Sequence, residues 1–255
     1  MFFTSLICVE WISLARMIGI ESVNLSYQTL ERLSVRRPVD RLSWLAQSCA
    51  GKVVLDIGCY DETALAKQDT DHWLHGRLAK TAKRVVGVDS SSKIPLGGLR
   101  TASNASIHRG DGVHVDASVM GGDRFDVVVA GEFIEHIESP LDFLRDIKAR
   151  MPSAQLLIST PNGVCFANTL LGLIRREVQH PDHLQNFTFK ILNTLCVRAE
   201  FKEWEILPYR FYATEMILSS TGIKRALVIG VEQVIRVVEW FFPLLSFGYI
   251  IKVKI

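Results

Sequence analysis

Between residues 50 and 160 the chain repeats one pattern, a short apolar run followed by a longer amphipathic stretch. Residues 52–57, 84–88, 125–130 and 155–159 are apolar runs without strict two-residue alternation, as in strands covered on both faces. The stretches between them, such as residues 141–149, are long enough for crossover helices, so the pattern predicts βαβ units and a parallel sheet. A shorter run at 107–110 reads as a third strand. Residues 187–199 return to helical spacing, with Phe187, Ile191, Leu195 and Cys196 near one face, and 201–211 read as a strand region interrupted by Pro208. Residues 249–255 alternate, which turns Lys252 and Lys254 to solvent and predicts a strand at a sheet edge. The apolar stretch 222–245 then becomes a helix inserted between the last two strands.

The two ends differ from this middle. Residues 1–48 have helical spacing, broken at Gly19 and at Arg37-Pro38, and predict an N-terminal helical cap on a domain running from 49 to 255. A chain of 255 residues needs no second large domain. The hydrophobic residues, 48% of the chain, gather in 1–20 and 226–251. Neither run reads as a membrane crossing. The first carries Glu10 and Arg16 and lacks a basic start. The second carries Glu232, Arg236 and Glu239, three to four residues apart and therefore on one side of a helix. Amphipathic burial follows, against the domain or at a membrane surface. The net charge of +2, with no long basic run, argues against a nucleic-acid surface. The 5 cysteines have no paired CxxC spacing, which argues against a disulfide framework or zinc-thiolate site and fits a reducing, cytoplasmic setting. Each reads as a small buried hydrophobe.

Candidate chemistry lies at the strand ends. The first strand runs into Asp56-Ile57-Gly58-Cys59, where the glycine permits a tight turn and close approach of a ligand, and the acid can accept hydrogen bonds. Tyr60-Asp61-Glu62 follows instead of a glycine-rich turn, so a pyrophosphate cradle is disfavoured. Asp89 ends the second strand, where a carboxylate can accept both hydroxyls of a ribose. Asp111, between Gly110 and Gly112, could accept from an exocyclic amine, although the triplet also suits an ordinary turn.

These motifs, with Phe125-Asp126-Val127-Val128 and Gly131-Glu132-Phe133-Ile134-Glu135-His136, fall in an order that resembles class I S-adenosylmethionine-dependent methyltransferases. The resemblance covers about residues 50 to 205. It leans to the branch of ubiquinone-biosynthesis O-methyltransferases and bacterial small-molecule methyltransferases. It implies an α/β, Rossmann-like seven-stranded sheet flanked by helices, with an antiparallel last strand. It also implies S-adenosylmethionine as cofactor, with Asp56 and Gly58 at its methionine part, Cys59 among the cofactor-binding residues, Asp89 at the ribose, Asp111 at the adenine, and Glu132 and Phe133 along the wall. The usual first motif has a glycine where this chain has Tyr60, so residues 71–76 are expected to belong to a replacement for that loop.

Glu132, Glu135 and His136 are spaced so that a helical turn would place them on one face. His180-Pro181-Asp182-His183 follows on a loop expected to return over the pocket. Two carboxylates and an imidazole are credible ligands for Mg2+ or another divalent cation. The arrangement resembles magnesium-assisted ubiquinone O-methyltransferases and small-RNA 2′-O-methyltransferases, which implies His183 as a second histidine beside Glu132, Glu135 and His136. A bound ion would lower the pKa of an acceptor hydroxyl. Without one, His136 or His183 could take the proton as catalytic base, or the cluster could be structural. The leading function is methyl transfer to a hydroxyl of a small molecule such as a sugar, polyketide or isoprenoid ring. N- or C-methylation, small-RNA 2′-O-methylation and a nonenzymatic cofactor-binding scaffold stand as alternatives. The apolar ends equally suit a substrate tunnel, a homodimer face or peripheral membrane contact.

Overall fold

The computed structural model describes residues 32–60, 64–68, 70–115 and 124–255. The helical reading of residues 1–31 falls outside them. The chain divides into two compact units, Met1–Ser34 and Val35–Ile255, and the second holds all the described helices and strands.

Its centre is a sheet of β1 (Val53–Ile57), β2 (Arg84–Asp89), β3 (Leu99–Ala102), β4 (Ala105–Arg109), β5 (Val127–Gly131), β6 (Gln155–Pro161), β7 (Glu203–Tyr209) and β8 (Gly248–Lys254). The spatial order is β3-β4-β2-β1-β5-β6-β8-β7. The strands β4, β2, β1, β5 and β6 are parallel, while β8 runs antiparallel to both β6 and β7.

The helices are α1 (Arg41–Ser48), α2 (Ala64–Lys67), α3 (Leu74–Thr81), α4 (Pro140–Arg150), α5 (Phe166–Leu173), α6 (Phe189–Arg198), α7 (Thr214–Leu218) and α8 (Gly222–Phe241). Several start where the sequence supplies a cap. Asp40 accepts from the Ser43 amide at 3.0 Å, and Ser139 precedes Pro140 in the first turn of α4.

The absence of alternation in the central strands follows from two-sided cover. Leu55, Val128 and Leu156 point into one core with Phe143 and Leu192, while Val54, Val127 and Leu157 point into another with Leu45 and Leu78.

Two expectations are corrected. Among the described residues the sheet has eight strands rather than seven. The additional β3 folds back antiparallel on β4 at the edge, and its Leu-Arg-Thr-Ala sequence, only partly covered, lacks the apolar run that marks a buried strand. Nor is β8 an edge strand. It lies between β6 and β7 with residues 248–251 and 253 buried. The lysines sit at its far end, where the sheet runs out into solvent and Lys254 Nζ comes within 3.6 Å of Glu203. The edge belongs to β7, which explains how Pro208 is accommodated in a strand.

The 20-residue α8 connects β7 to β8 through a short turn. The side carrying Glu232 and Glu239 packs on the domain. Glu239 accepts from the Phe211 amide at 2.7 Å, Arg236 Nε donates to the Phe211 carbonyl at 2.9 Å, and Arg236 pairs with Glu232. The apolar side faces outward.

At Gly248 a Cβ would fall 2.2 Å from the Tyr209 hydroxyl and 2.5 Å from the Thr160 carbonyl, the latter being backbone of the neighbouring strand. Gly248→Ala is expected to lower the unfolding free energy by about 1–3 kcal/mol through overpacking, measured by urea denaturation.

Candidate active site

The loops that follow the parallel strands converge on a cavity of about 940 Å³. Three of them are locked around one ring. Gly58, with φ +68°, has no room for a Cβ, which would lie 2.7 Å from Phe133, and at Gly112 it would lie 2.9 Å from both Phe133 and Ile57. Phe133, after β5, thus seats against the turn after β1 and the turn after β4, and its ring also meets Phe143 at 5.3 Å.

Asp89 joins the first two loops. Its carboxylate accepts from the Tyr60 amide at 3.0 Å and the Ser91 amide at 2.9 Å, which fixes both oxygens at the cavity wall. Asp111 stands at the rim, accepting from the Val113 amide at 2.8 Å and facing His114 Nδ1 at 3.2 Å. Partial burial acts to raise its pKa, but these bonds outweigh it and hold the carboxyl below its ordinary range.

Asp56 also borders the cavity, yet it has an internal partner. Its carboxylate lies 2.9 Å from Nδ1 of the fully buried His75, whose Nε2 lies 2.9 Å from the Thr101 hydroxyl. Nearby, Trp73 Nε1 donates to the Cys59 carbonyl at 2.9 Å. Cys59 borders the cavity too, but burial, with Asp56 and Asp89 adding to it, pushes its thiol well above the ordinary value. It is not a nucleophile at neutral pH.

Glu132, Glu135 and His136 do not share a helical face. Glu132 has a left-handed backbone, φ 54°, and only Ile134–His136 form a helical turn, of the tighter 3₁₀ kind, so the spacing of an α-helix does not apply. Glu132 is engaged by Tyr209 and Tyr212, whose hydroxyls donate at 2.6 and 2.7 Å, and by Arg41 at 3.8 Å. Burial alone would raise its pKa, but Arg41 and the two hydroxyls hold it below the ordinary range. Glu135 is turned into the interior, and neither of its oxygens meets a hydrogen-bond partner among the described residues. Burial, reinforced by the charge of Glu132, pushes it up to about 8, so it is a neutral acid at pH 7.

The histidines converge instead. The Leu184 and Gln185 amides donate to the Glu135 carbonyl at 2.8 and 3.1 Å, which folds the 180–185 loop back over the turn. Ring nitrogens of His136, His180 and His183 then lie within 4.8 Å of one another, with the His136 and His183 rings 4.5 Å apart. All three border the cavity. Burial holds the pKa values of His136 and His183 below the usual imidazole value, and their mutual proximity with His180 works in the same direction.

The site thus brings together Gly58, Cys59, Asp89, Asp111, Phe133, His136 and His183, with Asp56 and Glu132 at the wall but already partnered, and leaves Glu135 behind it. Arg41 and His180 complete it. No sequence signal set Arg41 apart from any other helix-start cation, because its role depends on β6, where it donates to Ser159 at 3.1 Å, and on Glu132.

Because the folded-state pKa of Glu135 is raised from 4.5 to about 8, its protonated form is the stable one. Stability is fully present below the unfolded value and falls as pH climbs through the folded value. In this window the loss approaches roughly 1.4 kcal/mol per pH unit. Glu135→Gln is expected to flatten this slope in denaturation series from pH 5 to 9, and an unchanged slope would place the titration elsewhere.

Comparisons with known proteins agree with this architecture. A family model described as a methyltransferase domain matches residues 27–206. The mitochondrial ubiquinone biosynthesis O-methyltransferase of Schizosaccharomyces pombe is 30% identical over 133 residues, 51% of this chain and 45% of that protein. The match thus spans less than half the length of that relative. A SAM dependent methyltransferase structure from Archaeoglobus fulgidus superposes with TM-score 0.50 at 16% identity, covering 84% of this chain and 91% of that one. A structure of the small RNA methyltransferase HEN1 superposes with TM-score 0.51 at 16% identity, covering 88% of this chain and 27% of that one. The chain belongs to the methyltransferase domain family and has the class I S-adenosylmethionine-dependent methyltransferase fold.

Proposed function

We propose that this protein transfers the methyl group of S-adenosylmethionine to a hydroxyl of a small molecule. The observation that carries the reading is the pairing, in one cavity, of a wall bearing Gly58, Asp89 and Asp111 with the cluster of His136, His180 and His183. On the first side the Asp89 carboxylate, oriented by two backbone amides, suits a ribose diol, and Asp111 at the rim suits an adenine amine. Gly58 lets the chain approach the amino-acid part closely. Asp56, tied to His75, shapes this floor from behind as well as bordering it.

When bound, the cofactor supplies an electrophilic methyl on sulfur, which passes to an acceptor oxygen as the carbon–sulfur bond breaks and the thioether leaves. The chain's part is alignment and removal of the hydroxyl proton, and alignment can supply much of the acceleration. In this reading His136 and His183 accept that proton, which burial favours by lowering their pKa values from the usual imidazole value. The name of the fission-yeast relative, an O-methyltransferase, supports oxygen as the acceptor atom.

The same histidines fit a divalent cation, with His136, His180 and His183 as donors. Imidazole ligands suit zinc, iron or nickel better than magnesium, which prefers carboxylate and water oxygens. Glu132 is taken by Arg41 and the tyrosines, and Glu135 is neutral and buried, so the carboxylates add little to such a site as it stands. A bound ion would polarise the acceptor hydroxyl.

Thermal-shift titration tests the cofactor reading. S-adenosylhomocysteine is expected to stabilise the wild type, and Asp89→Asn is expected to weaken its binding about tenfold through loss of charged hydrogen bonds. Protection by NAD and not by S-adenosylhomocysteine would sink it. For the acceptor side, His136→Ala with His183→Ala is expected to cut turnover of a hydroxylated acceptor about 10²–10⁴-fold while S-adenosylhomocysteine affinity holds. The wild-type rate should rise with pH below about 6.5, where the lowered imidazole pKa values fall, and level off above it.

A further inference from the structure

The helix α8 is inside out for a domain helix. Its packed side carries Glu232, Ile235 and Glu239, while Ile223, Leu227, Val231, Val234, Val237 and Phe241 form a stripe on the opposite side, spaced three or four residues apart. Val234 is 63% and Phe241 61% exposed, and the stripe runs the length of the helix. Beside it packs α5, which adds the exposed Leu170 and Leu173. At the far end Trp240, Phe241 and Phe242 form an exposed aromatic group, with Arg37 seated 4.0 Å over the Trp240 ring. An apolar surface this continuous is unusual on a soluble domain and marks a contact.

The charges bordering it indicate what it contacts. Lys224 and Arg225 begin α8, and Arg175 and Arg176 follow α5. All four are exposed, and none pairs with an acid among the described residues. The nearby acids are fewer. Glu177 is exposed, and Glu215 already meets Lys67 at 3.0 Å. We propose that the outer face of α8 and α5 lies on an anionic lipid bilayer, with the apolar stripe and aromatic end in the headgroup boundary and the four cations over the lipid charges. The helix lies on the bilayer and does not cross it. No helix among the described residues is long and apolar enough to span. The inference does not rest on methyl transfer.

The experiment is flotation of the full-length protein with vesicles of mixed phosphatidylcholine and phosphatidylglycerol, against phosphatidylcholine alone. The wild type should float with the anionic vesicles, less with the neutral ones, and less again in half-molar salt. Val234→Glu with Phe241→Glu, two exposed positions outside the cavity, should reduce flotation about tenfold or more. The melting temperature and S-adenosylhomocysteine protection should stay unchanged, which separates lost docking from lost folding. Equal flotation of wild type and variant would overturn the proposal by placing the contact elsewhere in the chain. So would absence of wild-type flotation, including the case in which sedimentation shows a dimer that the double variant breaks.

Discussion

Gly58 and Gly112 leave no space for a side chain against Phe133, and that steric exclusion sets the geometry of the site. A ring from the loop after β5 presses on turns that follow β1 and β4, so three loops from separate parts of the sequence have little freedom relative to one another. Asp89 adds a polar tie by accepting from the Tyr60 amide across the first and second loops. The pleat carries the same requirement into the core. Side chains on both faces of β1, β5 and β6 are buried, which fixes register and therefore the height at which each loop leaves the sheet. Displacing Phe133 would loosen the cavity wall and the start of the histidine turn together.

The two glutamates beyond β5 show how environment assigns charge. They stand three residues apart, Glu132 half-buried and Glu135 buried, yet they respond oppositely. Glu132 has Arg41 and two tyrosine hydroxyls to stabilise an anion, whereas burial and the neighbouring charge of Glu132 outweigh what stabilises the Glu135 anion, so its proton stays. This asymmetry frees the imidazoles from competing ion pairs with Glu135. It also leaves His136 and His183 at the cavity with pKa values lowered by burial.

Much of this was legible in the residues. The runs forming β1, β2, β5 and β6 announced a parallel sheet because two-sided burial removes alternation, and Asp56-Gly58, Asp89 and Asp111 marked the loops that border the cavity. The failures have specific physical causes. β3 makes its edge contact with few apolar residues, so hydrophobic pattern does not reveal it. β8 looked like an edge because its lysines alternate, but that alternation records only where the strand leaves the core. The spacing of Glu132, Glu135 and His136 was read at the α-helical period, which a positive φ at Glu132 and a 3₁₀ turn invalidate. Arg41 joins the site through tertiary contacts alone, and local pattern carries no record of those, whereas His180 was named only within the 180–183 segment expected over the pocket.

The charges of α8 place both its faces in one argument. On a helix the polar side ordinarily meets water, but here Glu239 and Arg236 satisfy the Phe211 amide and carbonyl, so backbone at the exit of β7 would lose its partners if the helix rotated. Burial pushes Glu239 up to about 7, which reduces the charge the packed face must hold at neutrality. Glu232 is balanced by Arg236 on the same side. Rotating the helix to cover its apolar stripe would break each of these contacts and expose the charges' partners unsatisfied. The outward apolar face is therefore imposed by the polar seam, and the seam in turn positions Glu232 and Arg236 at the edge of the cavity. One helix joins the wall of the site to the surface through which the molecule meets its surroundings.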